Sequence, residues 1–270
     1  MRANTPTSTC RRPKWLSVLF CLAIWIGVSP AAADQTTAGP AVAAAADLKF
    51  ALAEIVRAFE HDSGLKLRPS FGSSGMFAQQ ISQGAPFELF FSADEHYVSL
   101  LQKAGRSEDG GQLYALGRIA LFIPNGSRVQ ADRDLRDLAA ATRDGRLKRL
   151  AMANPEHAPY GRAAREALQH AGVWATLGDK LVLGENAAQA AQFAASGSAQ
   201  AGIIPLSLAR ADDLATRGAF VSLPESWHAP LRQRMVLLKG AGDTARRFYA
   251  FMQTPAARAI LERHGFMPPP

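Results

Sequence analysis

Two stretches constrain this chain more than any other: "FELFFSA" (87–93) and "GRIALFIP" (117–124), each apolar at almost every position. A strand with one solvated face alternates apolar and polar residues. A continuous apolar run has to be covered on both faces, which means a parallel or mixed sheet between helical layers. The surrounding sequence supplies those layers. Leu48, Leu52, Ile55, Val56 and Phe59 recur at helical spacing until Gly64 ends the pattern, and "SSGMFAQQISQG" carries Phe77 and Ile81 on one face up to Gly84. Further helices are predicted at 94–104, 132–142, 160–171 and 187–196, with strands at 65–72, 149–153, 180–183, 201–204 and 234–240. The chain closes on a helical pair broken before Pro255. Strand and helix alternate throughout, which predicts a three-layer α/β protein with mostly parallel sheets.

Residues 1–33 read as an export signal. "MRANTPTSTCRRPK" is basic without an acid, "WLSVLFCLAIWIGV" (15–28) is the apolar core, and Ala31-x-Ala33 fits signal cleavage. The apolar stretch is too short and wrongly flanked for a stable span, and "VLF" before Cys21 is not a lipoprotein cleavage pattern. Removing it takes Arg2, Arg11, Arg12 and Lys14 away, so the formal charge falls from +7 to 7 − 4 = +3. The basic precursor charge is therefore no argument for nucleic acid. Cys10 and Cys21 are the only cysteines, and both lie in the leader. Disulfides, thiolate metal sites and cysteine nucleophiles are excluded from the mature chain. The remaining 270 − 33 = 237 residues suffice for one large domain or two lobes with separate cores.

Three places share one design, a small or Gly-rich turn, a polar residue, then a helix start: "AAADL" (44–48), "FGSSG" (71–75) and "GENAAQA" (184–190). A fourth, "HAPYGRAA" (157–164), has Pro159 near the first helical turn. Helix N-termini carry unpaired N–H groups and partial positive charge, and so hold anions without Lys or Arg. Ordinary capping by Asp47, Ser73 or Ser74, and Asn186 accounts for the same residues, and spacing alone does not show that the turns converge. Tyr160 fits either packing or a binding role. Other chemistry finds less support. The G-x-S-x-G elbow of serine hydrolases fails because Met76 stands where the second glycine belongs. The six histidines, 61, 96, 157, 170, 228 and 264, show no metal-ligand spacing. Asp94 and Glu95 read as favourable acids at a helix N-terminus.

Taken in order and spacing, "VAAAADLKFALAEI", "FGSSGMFAQQISQGAPFELFFSAD", "APYGRAAREAL" and "FMQTPAARAILERHGF" resemble the periplasmic molybdate-binding proteins of ABC importers (the ModA type). The likeness spans essentially the whole mature chain. It implies a two-lobe type II periplasmic-binding fold: mixed sheets flanked by helices, with two crossover strands as hinge and the ligand in the cleft between lobes. Lobe I would combine 40–117 with 206–270, lobe II would hold 118–205, and the crossings would fall near "LGRIA" and "GIIPL". The resemblance implies that the oxyanion is held by hydroxyls and N–H groups of these turns: Ala46 and Asp47, Ser73 and Ser74, Ala158 and Tyr160, Asn186 and Ala187.

There are two departures from the family pattern. Asp47 stands where many relatives have serine, and Pro205 where some have tyrosine in the second crossing. A carboxylate facing a dianion is repulsive in a closed cleft. Asp47 is therefore expected to turn away, capping its own helix and offering only its N–H. The alternative is an oxyanion that itself carries a proton, such as hydrogen phosphate. The resemblance implies a monomeric periplasmic receptor for molybdate or tungstate. It would deliver the oxyanion to a membrane permease, without catalytic residues, cofactor, direct metal ligands or nucleic-acid partner. A phosphate receptor, a secreted α/β hydrolase and a ligand-free sensory or adhesion module are the alternatives.

Overall fold

The computed structural model describes residues 39–270; the predicted export signal lies outside them. The first half runs β1 (Ala41–Ala45), α1 (Lys49–Ser63), β2 (Arg68–Gly72), α2 (Ser74–Ser82), β3 (Leu89–Ser92), α3 (Glu95–Lys103) and β4 (Gln112–Gly117). Then follow β5 (Ile119–Pro124), α4 (Arg136–Asp144), β6 (Leu150–Ala153), α5 (Pro159–His170), α6 (Trp174–Leu177), β7 (Leu181–Gly184), α7 (Ala187–Ala195) and β8 (Ala201–Pro205). The chain ends with α8 (Leu206–Ala209), α9 (Asp212–Ala215), β9 (Gly218–Ser222), β10 (Leu231–Leu237), α10 (Asp243–Phe251) and α11 (Pro255–Arg263).

The strands form two five-stranded mixed sheets, β2-β1-β3-β10-β4 and β7-β6-β8-β5-β9. In the first, β1 runs parallel to β2 and β3 while β10 is antiparallel to β3 and β4. In the second, β6 is parallel to β7 and β8, and β5 is antiparallel to β8 and β9. Helices pack on both sheets, which is why β3 in the first and β5 in the second, the two continuous apolar runs, are buried at every position. β1 shows the layering at atomic scale. Val42 and Ala44 join the cluster of Leu52, Ile55, Phe59 and Phe248, while Ala43 between them joins Phe77, Ile81 and Phe90 on the other face. α1 stops at Gly64, whose φ of 70° supplies the left-handed C-terminal turn. α10 and α11 are separated before Pro255 as predicted, with Thr254 Oγ1 capping α11 through the N–H of Ala257 at 3.3 Å.

Three expectations need correction. "AAADL" reads as a turn before a helix and no strand is predicted ahead of it, but Ala41–Ala45 is a strand, second in the order of the first sheet; its flanking strands, not alanine's preference, make it one. The segment 206–270 does not fall wholly in lobe I, because β9 pairs with β5 in the second sheet. Correspondingly, "GIIPL" is no crossing: β8 lies between β6 and β5, inside that sheet. The chain leaves the first sheet at Arg118, between β4 and β5, and returns between β9 and β10. Among the described residues, no helix is long and apolar enough to cross a membrane.

Candidate functional site

The four turns singled out in the sequence come together. The turn after β1 and the one after β2 bring Ala46, Asp47, Ser73 and Ser74 from the first sheet; the turns before α5 and α7 bring Ala158, Tyr160 and Ala187 from the second. With Ala45, Gly72, Ala93 and Pro159 they line one small pocket. Each turn follows a strand's carboxyl end, where open α/β sheets place ligands. No Lys, Arg or His is among the lining residues. The available positive charge is that of helix N-termini, the donors are N–H and O–H groups, and Asp47 is the one acid in the lining.

Ser74 is 1% exposed and its Oγ accepts the Ala93 N–H at 3.0 Å. The oxygen is thereby fixed, and its own proton has no protein acceptor among the described residues. α7 offers its first N–H, that of Ala187, because Asn186 Oδ1 takes the next two, Ala188 at 3.0 Å and Gln189 at 3.1 Å. Asn186 is thus a cap whose side chain lines a larger, open groove beside Lys49, Phe50 and Gln192, outside the pocket. Asn186→Ala is expected to lower stability by about 1 kcal/mol, checked by denaturant unfolding; an unchanged midpoint would mean that the cap is idle.

Three other predicted site residues are spent differently from expectation. The Ala158 N–H donates to Asn154 O at 2.9 Å. The Tyr160 hydroxyl is buried on Gln233, accepting from Nε2 at 3.0 Å, and it also bears on the Asp47 carboxyl. The Ser73 hydroxyl donates to the His157 carbonyl at 2.5 Å. That carbonyl also accepts from the Gly75 N–H at 3.0 Å and the Tyr97 hydroxyl at 3.4 Å. One backbone oxygen of the second lobe thus holds three donors of the first. Beside it Arg162 pairs with Asp94 and lies over the Tyr97 ring. These contacts latch the two lobes together beside the pocket.

Asp47 corrects the capping expectation. It is 1% exposed and makes no side-chain cap. Its Oδ2 accepts from Gln233 Nε2 at 2.6 Å, and its Oδ1 is buried without a partner. Gln233 is itself fully buried and accepts the Tyr114 hydroxyl on Oε1 at 2.6 Å. Burial pushes the Asp47 carboxyl up to about 6, against hydrogen bonds from Gln233, Tyr160 and the amides of its own turn that pull it down. A raised carboxyl contributes stability that is complete below the ordinary carboxylate range and is lost as pH rises through about 6. Burial, together with the Asp47 charge, likewise pushes the phenols of Tyr114 and Tyr160 well up. Gln233, Tyr114, Tyr97 and His157 were absent from the sequence expectation. Only Gln233 leaves a signal there: in "LRQRMVL" it occupies an inward position between Leu231 and Met235.

Comparison with known proteins places these features in context. A family model described as bacterial extracellular solute-binding protein matches residues 40–267. The molybdate-binding protein ModA of Rhodobacter capsulatus is 36% identical over 250 residues, covering 91% of this chain and 94% of its own. That of Azotobacter vinelandii is 33% identical over 248 residues, 91% of this chain and 96% of its own. The solved Azotobacter vinelandii periplasmic molybdate-binding protein matches with a TM-score of 0.78 at 29% identity, covering 86% of this chain and 100% of that one. The sulfate-binding protein SubI from Mycobacterium tuberculosis shares the fold, with a TM-score of 0.69 at 15% identity over 85% of this chain and 86% of its own.

Proposed function

The chain belongs to the bacterial extracellular solute-binding protein family, and from that premise we propose that it is a periplasmic receptor for a tetrahedral oxyanion, molybdate or tungstate, which it captures between its lobes and hands to an ABC-importer permease. The observation that carries this reading is the pocket. Turns from two sheets converge on one small space that presents the Ser74 hydroxyl and helix N-termini, with no cationic side chain lining it. Such a site satisfies an anion by hydrogen bonding alone, and its enclosure makes each donor count more. Relatives named for molybdate at 31–36% identity over more than nine-tenths of the chain support the choice of ion.

The candidate ligand contacts are the Ser74 hydroxyl and the N-terminal turns at Ala46–Asp47, Tyr160 and Ala187. Ser73 and Ala158 shape the pocket wall. Discrimination against sulfate would come from cavity size, since sulfate carries equal charge in a smaller shell. The basic, apolar leader supports export to the periplasm. A receptor needs no catalytic group. Ser73 lies 3.0 Å from His157 Nδ1, but its proton goes to the His157 carbonyl, so the pair is no primed nucleophile.

The unpartnered Asp47 Oδ1 favours one second reading, a ligand that brings its own proton, such as hydrogen phosphate. Thermal unfolding of the dialysed mature protein with each oxyanion separates the two. A ligand at about 100 times its Kd stabilises the folded state by about 2.7 kcal/mol. We expect molybdate and tungstate to raise the midpoint and sulfate and phosphate to leave it in place. A shift with phosphate alone would replace the ligand, and no shift with any of the four would remove the receptor reading.

A further inference from the structure

We propose that Asp47 serves as a proton-carrying donor in the pocket: it meets the oxyanion in its neutral form, with the proton on Oδ1, so that the protein takes up one proton together with its ligand. The inference rests on the oxyanion reading above and adds which protonation state of the site does the binding.

The hydrogen-bond directions leave one place for that proton. The Tyr114 hydroxyl donates to Gln233 Oε1 at 2.6 Å, which fixes which way the Gln233 amide faces. Its Nε2 then spends both hydrogens, on Asp47 Oδ2 at 2.6 Å and on the Tyr160 oxygen at 3.0 Å. Oδ2 is therefore an acceptor, and a proton on the carboxyl resides on Oδ1. That oxygen is buried and has no partner, in a residue that lines the pocket. A buried acceptor left unpaired costs free energy; a buried O–H beside an oxyanion is a charge-assisted donor.

No cationic side chain supports the charge of Asp47, which has only hydrogen bonds from Gln233, Tyr160 and the amides of its own turn. Gln233 on β10 is neutral, as are the phenols of Tyr114 on β4 and Tyr160 on α5, and Ser207 on α8 bonds only the Asp47 carbonyl, at 2.9 Å. His157 touches the pocket only through Ser73, its ring Nδ1 at 3.0 Å from Oγ. Arg162 at the rim is already paired with Asp94. An ionised Asp47 would therefore confront a dianion with no lining cation to offset the repulsion.

The sign follows from linkage. Without ligand the carboxyl loses its proton as pH rises through about 6, and a bound dianion holds the proton to higher pH. Affinity is then nearly level below that pH and falls above it by up to about tenfold per pH unit, one proton entering with each anion.

The test is calorimetric titration of the mature chain with molybdate at micromolar concentration, repeated across pH and in buffers of different ionisation heat. We expect a buffer-dependent heat corresponding to nearly one proton above neutrality and a Kd that weakens as pH rises. Asp47→Asn, whose Nδ2 stands in for the protonated oxygen, should show neither effect and should bind at alkaline pH at least as tightly as the parent chain. Buffer-independent heat with a level Kd in the parent chain, binding intact, would overturn the inference while leaving the receptor reading in place. A proton uptake that persists in Asp47→Asn would overturn it too, by moving the proton elsewhere. No heat from molybdate at any pH in either protein would remove the receptor reading, and the inference with it. The parent-chain series decides alone if the variant does not fold.

Discussion

Ser74→Ala is expected to weaken molybdate binding by about tenfold to a hundredfold, the equivalent of one hydrogen bond to a charged partner at about 1.5–3 kcal/mol. The side chain is almost fully buried, and its oxygen is pinned by the Ala93 N–H at 3.0 Å, so the hydroxyl cannot swing away and water cannot easily replace it. The same geometry adds a second effect that sequence reasoning does not foresee. Alanine leaves the buried Ala93 N–H without its acceptor, which costs about 1–3 kcal/mol of stability. Titration calorimetry below the variant's unfolding range separates the two effects. An affinity equal to that of the parent chain would take Ser74 out of the site.

Gly75→Ala is the second large effect, and it acts on closure. A Cβ at this position would sit 2.5 Å from the His157 carbonyl oxygen and 2.9 Å from the Tyr97 hydroxyl. Those are the atoms that join the lobes, so relief requires the His157 turn to move back from α2. The Gly75 N–H bond to that carbonyl, 3.0 Å, would go with it. Relieving such overpacking costs about 1–3 kcal/mol, and here the cost falls on the closed arrangement, not on either lobe alone. We expect molybdate affinity to fall by about five- to a hundredfold, mostly through faster release, with a nearly unchanged unfolding midpoint of the ligand-free protein. Stopped-flow dissociation measures this directly. A variant that releases ligand at the parent rate would show that the latch plays no part in retention.

The sequence makes some features legible and hides others for physical reasons. The buried strands at 87–93 and 117–124 are visible because burial on both faces demands apolar residues at both parities. The binding turns are visible because helix entrances have a residue signature. β1 is not: alanine carries little strand preference, and only pairing with β2 and β3 makes Ala41–Ala45 a strand. β9 is short and half-buried, and without it the second lobe is drawn too small. Asp47 reads as a cap because Asp before a helix usually is one. Its actual partner is Gln233, 186 positions away, a distance no local pattern spans. The latch escapes for another reason: His157 works through its backbone carbonyl, which every residue possesses.

The most direct measurement is the position of the metal atom. Crystals of the mature protein grown with molybdate, with anomalous scattering recorded at the molybdenum edge, would locate the ion. We expect one strong peak in the pocket bounded by Asp47, Ser74, Tyr160 and Ala187, within hydrogen-bonding reach of the Ser74 hydroxyl. A peak in the open groove beside Lys49 and Asn186, or none at saturating ligand, would contradict the assignment of the four converging turns as an oxyanion site.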